Sequence, residues 1–160
     1  MSTENDENSQ FTACCNKAEA IALRLIARAE QNSLGLTTKL EKKGFDPQVA
    51  KTVISGLLDR GLLNDERYAE LWLRSRLLKK TESPKNLFFS LMKRGIDRNS
   101  AKKALEKVLE PDTEYALILK FAENPGKSKN LKYGKKLPLK ALLKYEGFSA
   151  ECINRYFDLF

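Results

Sequence analysis

Three segments of this 160-residue chain repeat one another: Leu40-Glu-Lys-Lys-Gly44-Phe-Asp46, Leu91-Met-Lys-Arg-Gly95-Ile-Asp97 and Leu143-Lys-Tyr-Glu-Gly147-Phe-Ser149. Their glycines stand 51 and 52 residues apart. In each, a leucine lies four residues before the glycine, an apolar residue follows it, and Asp or Ser comes two after it. That order has a mechanical meaning. Glycine adopts the left-handed conformation that ends a helix, the next apolar residue packs back on that helix, and the short polar side chain caps the helix that follows. Pro47 sits at the first helical position after Asp46, where its fixed φ suits a helix start. Each segment predicts a tight helix-to-helix corner, and a period of about fifty residues predicts a tandem array rather than one irregular core.

The flanking segments agree with that reading. After the corners, Val49, Val53, Ile54 and Leu57 make one apolar stripe, Ala101, Leu105 and Val108 a second, and Ile153, Tyr156, Phe157 and Phe160 a third. Before them lie Ala22-Leu-Arg-Leu-Ile26, Tyr68-Ala69-Glu-Leu-Trp-Leu73 and Tyr115-Ala116-Leu-Ile-Leu-Lys-Phe121, with Ala22, Ala69 and Ala116 at intervals of 47. Asn64 and Asp112 are the expected caps of two of these helices, with Asp65, Glu66 and Glu114 in the first turns, where the helix dipole favours acids. From alanine to corner glycine the interval grows from 22 to 26 to 31 residues. The added residues are basic and are broken by Pro84, Pro125, Gly126, Gly134 and Pro138, which predicts lengthening connectors or helix ends. No segment alternates like a strand. The expectation is an all-α protein of three tandem three-helix repeats, helix-turn-helix-like, in an elongated, curved arrangement. The repeats fall at 17–62, 63–110 and 111–160, behind a polar, acidic tail over 1–16 that reads as disordered.

Composition narrows the chemistry. The chain has no histidine, which removes Ser-His-Asp and Cys-His catalysis and imidazole metal ligands. Its three cysteines are one short of a Cys-only zinc site. Cys14 and Cys15 lack an activating neighbour beyond Lys17, and Cys152 sits among Ile153, Tyr156 and Phe157 as a small core residue. Odd, unpatterned cysteines fit a reducing compartment, and the expected location is the cytoplasm. No uncharged stretch approaches a membrane span, and no basic residue precedes an apolar core as a secretory signal requires.

Charge is the remaining signal. Residues 1–73 hold 9 basic and 11 acidic groups, whereas 74–160 hold 20 and 10; within 74–144 the balance is 19 to 7, net +12. Such a field calls for an anionic partner, either a polyanion or an acidic protein face. Base reading by a recognition helix is poorly served. The helix after the first corner offers Gln48, Lys51 and Thr52, the one after the second Arg98, Asn99, Lys102 and Lys103, and 20 lysines against 9 arginines suit charge neutralisation better than bidentate contacts to guanine. A stacked helical array lying along an extended partner is the better use of these repeats. Asp65 and Glu66 read as helix-start acids rather than a catalytic pair, and Trp72, on an apolar helix, as core.

The run Gly61-Leu-Leu-Asn-Asp65-Glu66-Arg67-Tyr68-Ala69-Glu-Leu-Trp-Leu-Arg74-Ser75-Arg76 closely resembles the signature of the RecX family of bacterial recombination regulators. Ala22-Leu-Arg-Leu-Ile-Ala-Arg28, the Gly44 corner, Lys93-Arg-Gly-Ile-Asp97, Lys132-Tyr-Gly134 and Gly147-Phe148 follow in the family's order, so the likeness spans roughly residues 17 to 160. It departs from the family at Lys80-Thr-Glu-Ser-Pro84-Lys-Asn-Leu-Phe-Phe-Ser90, where a Gly-Tyr-Gly-Pro and an Arg-rich helix are usual. It also departs at Gly35, which replaces a glutamate and predicts that the second helix of the first repeat begins late or frays. The resemblance implies a non-enzymatic, cofactor-free monomer that lies in the groove of RecA-DNA filaments and inhibits RecA activities in recombination and DNA repair. The implied RecA or DNA contacts are Arg74, Arg76, Lys79, Lys80, Lys85, Lys93, Arg94, Lys127, Lys129, Lys132, Lys135, Lys136, Lys140 and Lys144. The alternative is a helical repeat protein that binds single- or double-stranded DNA directly through its phosphates and competes with recombination proteins for it.

Overall fold

The computed structural model describes residues 2–125 and 137–159, with side chains from Asn5 onward. Among these residues the chain is helical throughout, in the order α1 (Ser2–Arg28), α2 (Ser33–Lys42), α3 (Pro47–Asp59), α4 (Asp65–Lys79), α5 (Pro84–Lys93), α6 (Arg98–Val108), α7 (Pro111–Ala122), α8 (Leu139–Tyr145) and α9 (Ala150–Asp158). The corner segments join α2 to α3, α5 to α6 and α8 to α9.

The corners form by the predicted mechanism. Gly44, Gly95 and Gly147 have φ of 91°, 83° and 86°. At the first, the Gly44 amide donates to the Glu41 carbonyl at 2.9 Å and the Phe45 amide to the Leu40 carbonyl at 3.3 Å, a pair of bonds that satisfies carbonyls a helix end would otherwise leave open. The leucine four before each glycine, Leu40, Leu91 or Leu143, is fully buried. On the far side, Asp46 accepts from the Gln48 amide at 2.8 Å, Asp97 from the Asn99 and Ser100 amides at 3.0 Å, and Ser149 Oγ from the Cys152 amide at 3.3 Å. Hydroxyl and amide donors hold the Asp97 carboxyl below its usual pKa, the Ser100 side chain foremost.

The chain divides into two compact units, residues 1–68 with 94–96 and residues 69–93 with 97–160. In the first, Ala18 and Ala22 of α1, Leu36 and Leu40 of α2, and Val49, Ala50, Val53, Ile54 and Leu57 of α3 make one core. In the second, Leu117, Ile118 and Phe121 of α7 pack with Leu142, Leu143, Phe148, Cys152 and Ile153. Truncating a fully buried leucine such as Leu57 or Leu143 to alanine removes about 2–5 kcal/mol of stability.

Four expectations need correction. Residues 2–16, expected in a tail, are instead the start of α1; Phe11 and Cys15 pack on the first core, and a nucleated helix extends by one hydrogen bond per residue. α2 does not begin late. The buried Asn32 caps it, accepting from the Gly35 amide at 3.0 Å, and a Cβ at position 35 would collide with that Asn32 oxygen. The second repeat has no longer connector than the first, because α4 runs on to Lys79 and leaves residues 80–83, matching 29–32 after α1. Finally, α7 is not capped by Asp112. Glu110 holds the cap position and Pro111 the first turn, while Glu114 is buried and accepts from the Ser149 amide and hydroxyl at 2.6 and 2.7 Å. With residues 114 and 118 facing the core, Ala116 points the opposite way and is exposed, unlike Ala22 and Ala69.

Each unit contains one joint of matching design. In the first, the Asn32 amide donates to the Arg94 carbonyl at 2.6 Å, and Leu34 lies against Gly95 so closely that a Cβ there would meet its Cδ2 at 2.5 Å. In the second, Ser83 donates to the Glu146 carboxylate at 2.6 Å, the Lys85 amide donates to the Glu146 carbonyl at 3.0 Å, and Lys85 and Pro84 lie against Gly147. Ser83 and Lys85 stand 51 residues after Asn32 and Leu34, and Glu146 and Gly147 stand 52 after Arg94 and Gly95. The start of the repeat's second helix thus grips the next corner. In the first unit Asp65 adds a further tie, accepting from the Ser33 amide at 2.7 Å, a use of that acid beyond its helix-start role.

Candidate binding surface

The fourteen basic residues singled out by charge do not share one situation. Lys127, Lys129, Lys132, Lys135 and Lys136 lie outside the described residues. Arg76 is occupied internally. Its guanidinium bonds Glu82 Oε1 at 2.6 and 2.9 Å and sits 5.7 Å from the Trp72 ring centre, tying the end of α4 to the connector. Trp72 is accordingly half-buried rather than a core residue. The Lys85 ammonium lies 3.6 Å from the Tyr145 ring centre, again an internal contact. Lys93 and Arg94 are exposed at the Gly95 corner, where the Arg94 carbonyl serves the joint. Lys140, 5.6 Å from the Phe157 ring, and Lys144 flank a cleft of about 310 Å³ over Phe148 and Ile153.

Arg74, Lys79 and Lys80 are different: all three are exposed at the end of α4. Arg74 and Lys80 border a second cleft of about 310 Å³, together with Lys120 of α7. Its apolar walls come from Leu77 and Leu78 on α4, Val108 on α6 and Ala116 and Leu117 on α7, with Thr81 and Thr113 as the neutral polar members of the lining. Lys80 and Lys120 also border an adjoining cleft of about 420 Å³ that reaches Asn86, Phe121 and Asn124 and contains Glu82 and Glu123, so its charge is mixed. Among the described residues no acidic side chain pairs with Arg74, Lys80 or Lys120, in contrast to Arg76 with Glu82, Lys107 with Glu70 and Arg155 with Asp112. Like charges around one cleft repel, and an anion placed there relieves the repulsion.

Lys120 is absent from the sequence-based set. It belongs to a helix rather than to the basic connectors, and only the packing of α7 brings it beside the end of α4. Lys120 lies four residues after Ala116, on the exposed face that the burial of Glu114 and Ile118 sets for α7.

The cysteines carry no reactive signature. Burial foremost raises the Cys15 thiol pKa, with Cys14 and Glu19 adding to it, and burial likewise raises that of Cys152, whose Sγ contacts the Pro111 carbonyl at 3.5 Å. Both stay protonated as thiols at neutral pH. Among the described residues no group of His, Cys, Asp and Glu is arranged to hold a metal, and no helix is long and apolar enough to cross a membrane.

Comparison with known proteins places this architecture. Residues 64–105, from the Asn64 cap of α4 into α6, match the family model described as RecX, second three-helix domain. The Regulatory protein RecX of Treponema pallidum (strain Nichols) is 34% identical over 113 residues, covering 71% of this chain and 69% of that protein. The Regulatory protein RecX of Clostridium perfringens (strain SM101 / Type A) is 27% identical over 152 residues, covering 92% and 68%. In three dimensions the chain resembles the crystal structure of RecX from Lactobacillus salivarius, with a TM-score of 0.69 at 24% identity over 93% of this chain and 99% of that one. The tandem three-helix corners, the α4 signature and these likenesses together show that the chain belongs to the RecX family of regulatory proteins.

Proposed function

We propose that this protein is a non-enzymatic regulator of homologous recombination that binds in the groove of RecA-DNA filaments and inhibits RecA activities. The observation that carries the reading is the cationic face at the end of α4 and on α7: Arg74, Lys79, Lys80 and Lys120 are exposed and have no acidic partner among the described residues, within a chain of this family. The repeats at 17–62, 63–110 and 111–160 supply three similar units for successive positions along a helical polymer. Cations presented to the groove neutralise acidic groups or DNA phosphates there, and a chain lodged in it excludes a second DNA strand. A protein that binds one filament state more tightly than another shifts the filament toward that state, which inhibits RecA without any catalytic step.

RecA-dependent strand exchange tests this directly. Adding the protein lowers the rate of exchange; unchanged rates with the protein in excess overturn the reading. Changing Lys129, Lys132, Lys135 and Lys136 together to Glu weakens filament binding and leaves helical content intact; unchanged affinity removes that cluster from the contact set. Competition for DNA alone makes a different prediction: affinity for bare DNA that falls steeply with salt and accounts for all the inhibition. Measuring binding to bare DNA and to filaments at two salt concentrations separates them.

A further inference from the structure

We propose that the cleft between the end of α4 and α7 is a docking site for an acidic segment of a partner protein that carries one bulky apolar side chain. Two features of the lining point there. The first is the wall. Val108 and Leu117 are buried core residues, so the back of the cleft is fixed, whereas Leu78 at its edge is 89% exposed and has an aliphatic side chain with almost no packing of its own. An isolated leucine standing beside a core-backed hollow of about 310 Å³ is the geometry of an anchor pocket, where one apolar side chain of a partner removes water from both.

The second is the rim. Arg74, Lys80 and Lys120 border the hollow with no acid in its lining, whereas the adjoining cleft sets Glu82 and Glu123 beside Lys80 and Lys120, so the purely cationic rim belongs to this hollow. The charge-complementary occupant of the hollow therefore carries carboxylates next to its apolar anchor, within reach of Arg74, Lys80 and Lys120. An apolar centre with a charged rim is the anatomy of a protein interface. Nucleic acid fits less well. Single strands gain affinity by stacking bases on aromatic rings, and no aromatic side chain lines this hollow, while a phosphate backbone by itself gains nothing from Leu78. The inference rests on the preceding reading only in taking the chain to act by binding a protein.

The test uses the full chain and an array of short Asp/Glu-rich peptides bearing a single central Leu, Ile, Met or Phe, with Ser-centred peptides and oligothymidine as comparison probes. Leu78→Ser and Lys120→Glu change exposed side chains, and circular dichroism checks that helical content is unchanged. We expect apolar-centred peptides to bind roughly tenfold or more tighter than Ser-centred ones, and each variant to lose a similar factor for them. Oligothymidine affinity should respond to Lys120→Glu and not to Leu78→Ser. The proposal is overturned if no peptide binds, if peptide affinity is indifferent to Leu78→Ser, or if that variant weakens oligothymidine as much as peptide. Peptide binding is measured without RecA, so a wild-type protein that fails to inhibit strand exchange removes the filament reading and leaves the cleft result standing.

Discussion

The joint at Gly95 and the joint at Gly147 occupy matching chain positions and use unlike chemistry. In the first, one neutral amide does two jobs: Asn32 caps α2 through its oxygen and holds the Arg94 carbonyl through its nitrogen. In the second the work is split between Ser83, which caps α5 by accepting from the Asn86 amide at 3.3 Å, and Glu146, a carboxylate with 0% exposure that accepts from the Ser83 hydroxyl. A carboxyl group with no exposure has two oxygens to satisfy inside the fold, so losing a donor to it leaves more desolvated polar surface than losing the amide bond to the Arg94 carbonyl. The repeats are alike in backbone plan and unlike in how exacting their joints are. The same contrast runs through the units, whose buried polar side chains are Gln31 and Asn32 in the first and Glu82, Ser83, Glu114 and Glu146 in the second.

The largest expected effect is at the first joint's glycine. Gly95→Val combines left-handed strain with a collision against Leu34 and should cost about 4 kcal/mol in urea unfolding, whereas Gly44→Ala, with equal φ demands and open space around it, should cost about 1 kcal/mol. In a double-mutant cycle, Leu34→Ala should recover part of the loss from Gly95→Ala. Strict additivity would show that Leu34 does not pack on that glycine.

Next comes the comparison of caps. Ser83→Ala should cost about 3 kcal/mol, because it removes a cap and a bond to a buried carboxylate, against about 2 kcal/mol for Asn32→Ala, which removes a cap and a bond to a carbonyl. Equal or reversed losses would break the idea that the joint built on Glu146 is the more demanding.

A smaller effect marks the corner cap. Asp97→Ala should cost about 1 kcal/mol near neutral pH. Because folding lowers the Asp97 pKa, its contribution is full above the usual carboxylate range and is lost as pH falls through that range to the depressed folded value. The stability gap between wild type and Asp97→Asn should therefore close on acidification. A gap that is constant with pH would assign the benefit to the backbone bonds alone. The smallest effect belongs to the exposed Arg155–Asp112 pair, where Asp112→Ala should leave the unfolding midpoint unchanged within error at moderate salt.

Local rules made much of the fold legible. Leu40, Gly44, Phe45 and Asp46 each act within a few residues of where they stand, so the corners, their caps and the stripes of α3 and α6 could be read directly from sequence. The start of α2 is less legible, because Gly35 reads as a helix breaker while Asn32, three residues before it, supplies the cap. The register of α7 failed for a related reason: Ala116 matches Ala69 by spacing, but Pro111 and the burial of Glu114 rotate the helix and put Ala116 outside. The binding surface was half legible. Arg74, Lys79 and Lys80 were found by charge, but Arg76 and Lys85 looked the same in sequence and are held by Glu82 and Tyr145.

What the sequence by itself determined is whatever depends on backbone stereochemistry and composition: three glycine corners, helices rather than strands, the excess of cations after residue 73, and the absence of histidine chemistry. What only the tertiary structure decided is which distant groups meet. Asn32 and Arg94 are 62 positions apart, Ser83 and Glu146 are 63 apart, and Lys120 joins Arg74 and Lys80 only because α7 lies beside the end of α4. Such pairings follow from how the apolar faces pack, a property of whole helices in space, whereas a corner follows from the torsion angles of one glycine and its immediate neighbours.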